Sequence, residues 1–371
     1  MIYFDHNATT RCDERVVEAM APYMGALYGN PSSLYKLGRF ARTAIDTARE
    51  QLAALLDAPA ERIVFTSGGT EANALALANA RGKCLTISAI EHPSVFENAA
   101  AYRASYRDLR TGAVDSNGQI SVDSLLDLDW QPGDFLSLML ANNETGAVQP
   151  VAEAVNRLSG FGVNVHTDAV QALGKMPLSF RQLGVTLLTV SSHKIYGPKG
   201  CGALVVAEGF NLSALQRGGD QEHGWRAGTE NVAAIVGFGK AAELAKAEME
   251  VRSAKLAKLR QRLEQRLKTI PGLVIFAETA ERLPNTVQFG VAGLNGEMLL
   301  MQLDQHNIAV SSGSACSAAS GEISPVLAAM GIAPDLAKSA IRVSLGKDNT
   351  ETEIDRFVEV LIASLGIHQE I

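Results

Sequence analysis

Cysteine is scarce in this chain, and no two cysteines are spaced to work together. Cys12, Cys84, Cys201 and Cys316 are scattered through 371 residues with no CxxC pair and no pairing pattern. A disulfide-framed module and a thiolate metal site are thereby excluded, so no metal is expected and any special cysteine must be reactive rather than structural. Positive charge is in deficit as well: 33 Lys and Arg against 40 Asp and Glu give a formal net charge of −7. Nucleic-acid binders carry a basic stripe to meet the phosphates, so no direct nucleic-acid partner is expected. No apolar run approaches the roughly 18 residues of a membrane span, and MIYFDHNATT lacks the basic-then-apolar layout of a signal peptide. Repeats and low-complexity linkers are missing too. These absences point to a soluble protein of a reducing cytoplasm with no membrane partner.

What is present is apolar and well patterned. Hydrophobic residues make up 47 % of the chain and charged residues 20 %, enough for a large core, and the length suits two domains better than one. Six runs read as buried strands, each ending in a polar or glycine-rich loop: ERIVFTSGG, KCLTISAI, GDFLSLMLANNE, VNVHTDAV, VTLLTVSSHK and GCGALVVA. Helical patterns such as Glu71–Asn79 and Val151–Phe161 lie between them. This alternation predicts an α/β fold with a mostly parallel sheet covered on both faces and ligands at the carboxyl ends of its strands. From about Val232 to Thr269 the pattern is helical throughout, with Leu256, Leu259, Leu263 and Leu267 at three-or-four spacing. Pro271-Gly272 ends it, and the last hundred residues read as a smaller α/β unit.

Three features at strand ends carry chemistry. Lys194 directly follows the strand VTLLTV within SSHKIYGPKG. It is either a solvated loop lysine or a Schiff-base lysine, whose amine needs the rim of a dry pocket to lower its pKa. Asp168 ends the strand in VNVHTDAVQ, where an unpaired carboxylate is costly. It reads as a helix-start aspartate or as the partner of a pyridinium nitrogen, which an ionised carboxylate keeps protonated. Asp168 precedes Lys194 by 26 positions, the length of one crossover, so the two can sit on neighbouring strand ends. Ser67-Gly68-Gly69-Thr70 lies between a strand and a helix, where glycines allow close approach and a helix start offers N–H groups to a phosphate. The chain order of phosphate cup, aspartate and lysine is that of the aminotransferase-like pyridoxal-phosphate enzymes.

The motifs YFDHNATT, GNPSS, FTSGGTEAN, EHPSV, ANNETGAVQP, HTDAVQALGK, SSHKIYGPKG, RAGTENV, SSGSACS and RVSLGKDNTETEIDR span almost the whole chain. With them the sequence resembles the NifS/IscS group of cysteine desulfurases, within the class V aminotransferases. The resemblance implies aminotransferase fold type I, with a large pyridoxal 5'-phosphate domain over 15–250. Residues 1–14 and 251–371 would form the small domain, carrying the catalytic cysteine and the substrate arginine. It implies Lys194 as the cofactor lysine, Asp168 as the pyridinium partner and His92 against the ring face, moving protons. Gln171 and Asn143 would bond the ring's 3-oxygen, with Asn143 also near the substrate. The phosphate would rest on Gly69, Thr70, Ser191 and His193, plus Thr229 from the other subunit of a homodimer. Arg342 would grip the substrate carboxylate as a bidentate pair; a structural ion pair is its lesser alternative. His92 alone reads as a helix-start histidine.

Cys316 matches the nucleophilic cysteine, and it sits among Ser, Gly and Ala, a poor composition for a core thiol. Cys84 and Cys201 adjoin apolar strands, and Cys12 lies in a short polar stretch. The implied reaction takes sulfur from L-cysteine. Lys194 or His92 redistributes the α-proton, the Cys316 thiolate attacks the substrate sulfur, and alanine leaves while a persulfide remains for an acceptor protein. The resemblance leaves that acceptor open among an iron–sulfur scaffold, tRNA thiolation and DNA phosphorothioation. A selenocysteine lyase or another C–S lyase is the rival, since it would keep Lys194 and Asp168 but need Cys316 less.

Overall fold

The computed structural model describes residues 1–313 and 323–366. Its main sheet has seven strands: β2 (Ile63–Thr66), β3 (Cys84–Ser88), β4 (Asp108–Gly112), β5 (Phe135–Ser137), β6 (Asn164–Asp168), β7 (Leu187–Ser191) and β8 (Gly202–Val206). They lie in the order β2-β8-β7-β6-β5-β3-β4. Pairing is parallel from β4 through β7 and antiparallel at β8 and β2. Every residue of β2, β3, β5, β7 and β8 is buried, which is why these strands read as unbroken apolar runs. All six predicted strands are present. The seventh, β4, escaped notice because DLRTG is a half-exposed edge with no apolar run.

Four helices matter for the site: α1 (Glu14–Met24), α2 (Lys36–Leu56), α3 (Gly69–Ala78) and α4 (Pro93–Ala101). Helix α2 packs closely on the long helix Val232–Leu267, since a β-carbon on Gly239 would stand 2.5 Å from Ala48 Cα. The predicted long helix thus exists, and it serves two cores. Its first half buries Ile235, Phe238 and Ala242 against the large sheet. Its second half buries Leu256, Leu259, Leu263 and Leu267 against the smaller unit, as the leucine spacing requires.

The smaller unit holds an antiparallel sheet of β9 (Leu273–Ile275), β10 (Thr286–Val291) and β12 (Ile341–Ser344) in the order β12-β10-β9. The first strand of the chain, β1 (Ile2–Tyr3), pairs in parallel with β11 (Ile308–Ala309) beside it. Phe4 is fully buried there, its ring edge-on to Phe357 at 5.8 Å. The chain then crosses to the main sheet: Thr10 N–H donates to the carbonyl of His193 at 3.0 Å, and Asp13 N–H to that of Tyr196 at 2.9 Å. This amino-terminal strap lays Asn7 and Ala8 across the ends of the central strands, between the two units.

Candidate active site

Strand ends deliver the first set of groups. After β2 the chain turns through Ser67-Gly68 into α3, which has no side-chain cap at its N-terminus, so its first N–H groups lack an intrahelical acceptor. Gly69 is needed there because a β-carbon would come within 3.0 Å of Val170. Glu71 folds back to accept Ser67 N–H at 2.7 Å and pairs with Arg226 at 2.7 Å, so its charge is spent away from the cup. β3 leads to His92, the N-cap of α4; its Nδ1 accepts Ser94 N–H at 3.1 Å. β6 ends in Asp168, and β7 ends in Ser191 just before Lys194. Gly69, Thr70, His92, Asn143, Asp168, Gln171, Ser191, His193 and Lys194 all line one cavity of about 280 Å³.

The electrostatics of this cavity follow from burial. Asp168 is 6 % exposed. Its Oδ2 accepts from Asn73 Nδ2 at 2.7 Å and its Oδ1 from Val170 N–H at 2.9 Å. It therefore caps the following turn and also lines the cavity, so the two sequence readings do not exclude each other. Lys194 Nζ donates to the carbonyls of Asn7 and of Ala8, the latter at 2.8 Å. Burial pulls its pKa down to about 8, with Arg342 pulling the same way and Asp168 and Asp5 opposing. Burial likewise lowers His92, and it brings His193 down to about 4.

A second cavity shares Ala8, His92, Asn143, Gln171 and Lys194 with the first and adds Glu91, Glu144 and Arg342. Arg342 lies on β12 of the smaller unit and is 4 % exposed. Its Nη1 donates to the carbonyls of Asn143 and Gly313, each at 3.0 Å, and its Nη2 to Asp5 Oδ1 at 2.6 Å. A guanidinium has five N–H groups; three are engaged, and Nε is buried with no partner among the described residues. The structural ion pair expected as an alternative is present, as Arg342–Asp5. It leaves two donors over, the number that a bidentate carboxylate needs.

The comparisons with known proteins agree with this geometry. The aminotransferase class-V family model matches residues 2–357. A cysteine desulfurase of Nostoc sp. is 43 % identical over 97 % of this chain and 92 % of its own length. The structure of a NifS-like protein from Rickettsia africae superposes with a TM-score of 0.91 at 35 % identity, covering 99 % of each chain. That of SspA in complex with cysteine covers 94 % of this chain and all of SspA, with a TM-score of 0.83 at 29 % identity. The chain belongs to the class V aminotransferases, among the NifS/IscS-like cysteine desulfurases.

Enzymes of this family use pyridoxal phosphate, and the desulfurase cavity fits it. The uncapped start of α3 and the buried Ser191 Oγ, without a partner among the described residues, would meet the phosphate. Asp168 would meet the ring nitrogen, and Lys194 the aldehyde. Among the described residues, one predicted site residue lines neither cavity. Thr229 is exposed and does not line the cavity of its own chain. Cys316 lies outside the described residues; its flanks Gly313 and Pro325 border the second cavity. Cys84 and Cys201 are buried in strand regions, where desolvation pushes both thiols up and away from reactivity. Sequence reasoning gave no role to Asn73, Asn7, Asp5, Glu91 or Glu144. Asn73 and Asn7 stood inside quoted motifs, and an amide in a buried stretch is the available signal, because it must find a partner.

Proposed function

We propose that this enzyme removes sulfur from L-cysteine, holds it as a persulfide on Cys316 and releases L-alanine. The observation that carries the reading is the pairing of Lys194 and Arg342 across two adjoining cavities that share one wall. An amino acid with its carboxylate on Arg342 would present its amino group toward Lys194. When bound, pyridoxal phosphate supplies an electron sink for negative charge developing at the α-carbon.

The rest belongs to the chain's own residues. Asp168, fixed by Asn73, would hold its carboxylate against the ring nitrogen, and Gln171 and Asn143 would offer amide donors. Lys194, with its pKa drawn to about 8, can hold or release a proton near neutrality. His92 is kept neutral by burial. With Nδ1 accepting from Ser94, its Nε2 carries the hydrogen toward the cavity side. The Cys316 thiolate forms the S–S bond as the substrate's carbon–sulfur bond breaks, the bonding pair leaving with carbon, which then takes a proton. Cysteine and a thiol thus become alanine and a persulfide, with atoms and electrons balanced.

Replacing Cys316 with Ser tests this. The variant should still bind cysteine, since Lys194 and Arg342 are untouched, but make alanine at least about a hundred-fold more slowly, a hydroxyl being a far weaker nucleophile than a thiolate. Wild-type protein given cysteine without reductant should gain one sulfur on Cys316, located by alkylation and mass spectrometry. Alanine production by the serine variant at the wild-type rate would replace this reading with a selenocysteine or general C–S lyase.

We further propose a homodimer in which Thr229 reaches the partner's phosphate cup. The loop carrying Thr229 is tied to the body of its own chain by three ion pairs, Arg49–Glu222, Arg42–Glu230 and Arg226–Glu71, two of them to α2, while Thr229 itself is exposed. Around α2 the surface exposes Tyr28, Leu34, Tyr35 and Phe40, an apolar patch of the kind that marks an interface. Sedimentation showing a fully active monomer saturated with cofactor would refute the dimer. Domain limits at 15–250 for the large unit, and 1–14 with 251–371 for the small one, agree with the change of core along the long helix. No helix among the described residues is long and apolar enough to cross a membrane. We place the enzyme in the cytoplasm because its chemistry needs a reduced thiol, and its partner is a sulfur-acceptor protein of an iron–sulfur or thiolation pathway.

A further inference from the structure

Lys175 is a buried amine that the reaction does not use. It is 7 % exposed and appears in neither cavity lining. A lysine so deep is normally neutralised by a carboxylate. Here Nζ donates instead to two amide oxygens, Gln171 Oε1 at 2.8 Å and Asn7 Oδ1 at 3.0 Å. Its own carbonyl is held by the Ser253 hydroxyl at 2.8 Å. The position is therefore built, and what it does must pass through the two amides.

Both amides lead to the active site. Gln171 borders both cavities, and its Nε2 donates to the Asn7 carbonyl at 3.0 Å. That carbonyl also receives Lys194. The Asn7 side chain sends Nδ2 to the Asn143 carbonyl at 3.1 Å and to Thr286 Oγ1 at 2.9 Å, while its Oδ1 takes a second donor from Asn285 at 3.0 Å. An amide can be turned either way at little cost in volume, but donor and acceptor exchange places when it turns. Lys175 donates to both amide oxygens at once, and neither could turn without setting an amide N–H against that nitrogen and losing the bond. With Lys175 in place, Gln171 Oε1 must face inward, and of its two N–H groups one remains beyond the bond to Asn7. Without Lys175, that oxygen would be buried with no donor, and the least costly relief would be to turn it toward the cavity.

We infer that Lys175 is a positioning residue that fixes the Gln171 and Asn7 amides, so that Gln171 presents N–H rather than C=O to the cofactor. The inference rests on the functional reading above. Its chemistry is specific: the ring oxygen of a pyridoxal cofactor is an acceptor, and an inverted Gln171 would repel it.

The test uses purified full-length protein before any cysteine is added, and reads pyridoxal-phosphate affinity together with the visible absorption of the bound cofactor. Lys175→Met, which keeps length and removes the donors, should loosen the cofactor about ten-fold, the scale of one lost hydrogen bond. It should also shift the pH midpoint of the absorption band. Lys175→Gln, which can donate without compelling an orientation, should lose about two- to five-fold on the same scale, and covers the case in which the methionine variant does not fold. The decisive comparison is a cycle with Gln171→Leu. If Lys175 acts through Gln171, the double variant should be no worse than the poorer single one, whereas a merely structural lysine would give multiplied losses. Multiplied losses, or wild-type affinity and spectrum in both Lys175 variants, overturn the assignment alone. Failure of the wild-type protein to take up pyridoxal phosphate overturns the functional reading and this inference with it.

Discussion

The two adjoining cavities are built in opposite ways. The first takes most of its walls from strand ends of one sheet: Thr70 follows β2, His92 follows β3, Asp168 ends β6 and Lys194 follows β7. The second is assembled from distant pieces. Asn7 comes from the amino-terminal strap, Glu144 from the main-sheet unit and Arg342 from the smaller unit. The Arg342–Asp5 pair joins residues 337 positions apart. A parallel sheet gathers its loops at one edge as soon as it forms, so the first cavity, apart from Ala8 of the strap, is a property of one folded unit. The second exists only once both units and the strap have docked. On the proposed function, chemistry common to many reactions of this cofactor would sit on the sheet, and recognition of one substrate across the junction.

Lys194→Ala is the hardest blow to the first cavity. It should lower turnover by at least about a thousand-fold if, as we propose, the residue serves as both attachment point and proton carrier. The fold should survive, because a rim lysine contributes little packing. Borohydride reduction of the wild-type protein followed by peptide mapping should place the cofactor on Lys194, and a label on Lys175 or Lys199 would overturn the assignment. The smaller unit should be indifferent to this change, as seen by unfolding midpoint within a few tenths of a kcal/mol.

Arg342→Lys probes the second cavity with the charge kept and the planar fork lost. Three donations to Asn143, Gly313 and Asp5 cannot all be reproduced by an ammonium. The KM for cysteine should rise by roughly ten- to a hundred-fold, the range for a charge-assisted hydrogen bond lost. Pyridoxal-phosphate affinity should stay within about two-fold, because a site bound by separate contacts responds separately. An equal loss in both would mean that the two cavities are not separable, and the comparison would fail.

The same contrast explains how much of the molecule could be read beforehand. Asp168, Lys194 and the Gly-Gly-Thr turn announce themselves because each follows an apolar run, and strand ends are where a parallel sheet puts its ligands. Asn73 does not, since its partner Asp168 is 95 positions away and a buried asparagine in a helix has no local signature. Asp5 and Asn7 stand in a short motif whose meaning depends on Arg342, Lys175 and Asn285. Edge strand β4 was missed for a simpler reason, its half-exposed polar sequence. His92 is the instructive case: the residue that caps a helix and the residue that lines the cavity are the same, and local sequence supports only the first role.

The smallest effect concerns the stability of the first cavity's floor. His166 lies on β6, two residues before Asp168, and is fully screened from water. Its Nδ1 meets Ser137 Oγ at 2.9 Å and its Nε2 meets Thr189 Oγ1 at 3.0 Å, bonds that a neutral ring completes with one nitrogen donating and one accepting. Burial brings its pKa down to about 4, against a mild opposing pull from Asp168. The unfolded chain, with its histidine near 6.5, takes up a proton first as pH falls. The stability contributed by the neutral ring is thus fully present above 6.5 and is lost as pH drops toward 4. By pH 5 the loss is about 2 kcal/mol for this one group. His6 and His193 are also drawn down to about 4 by burial and add to the same slope. His166→Gln keeps a donor and an acceptor and removes the titration. Urea unfolding of the cofactor-free protein between pH 7 and pH 5 should then show about 2 kcal/mol less loss of stability than wild type, the contribution of this one group. An unchanged slope would show that the floor of the cavity does not carry the acid sensitivity, and would move it to the junction where His6 lies.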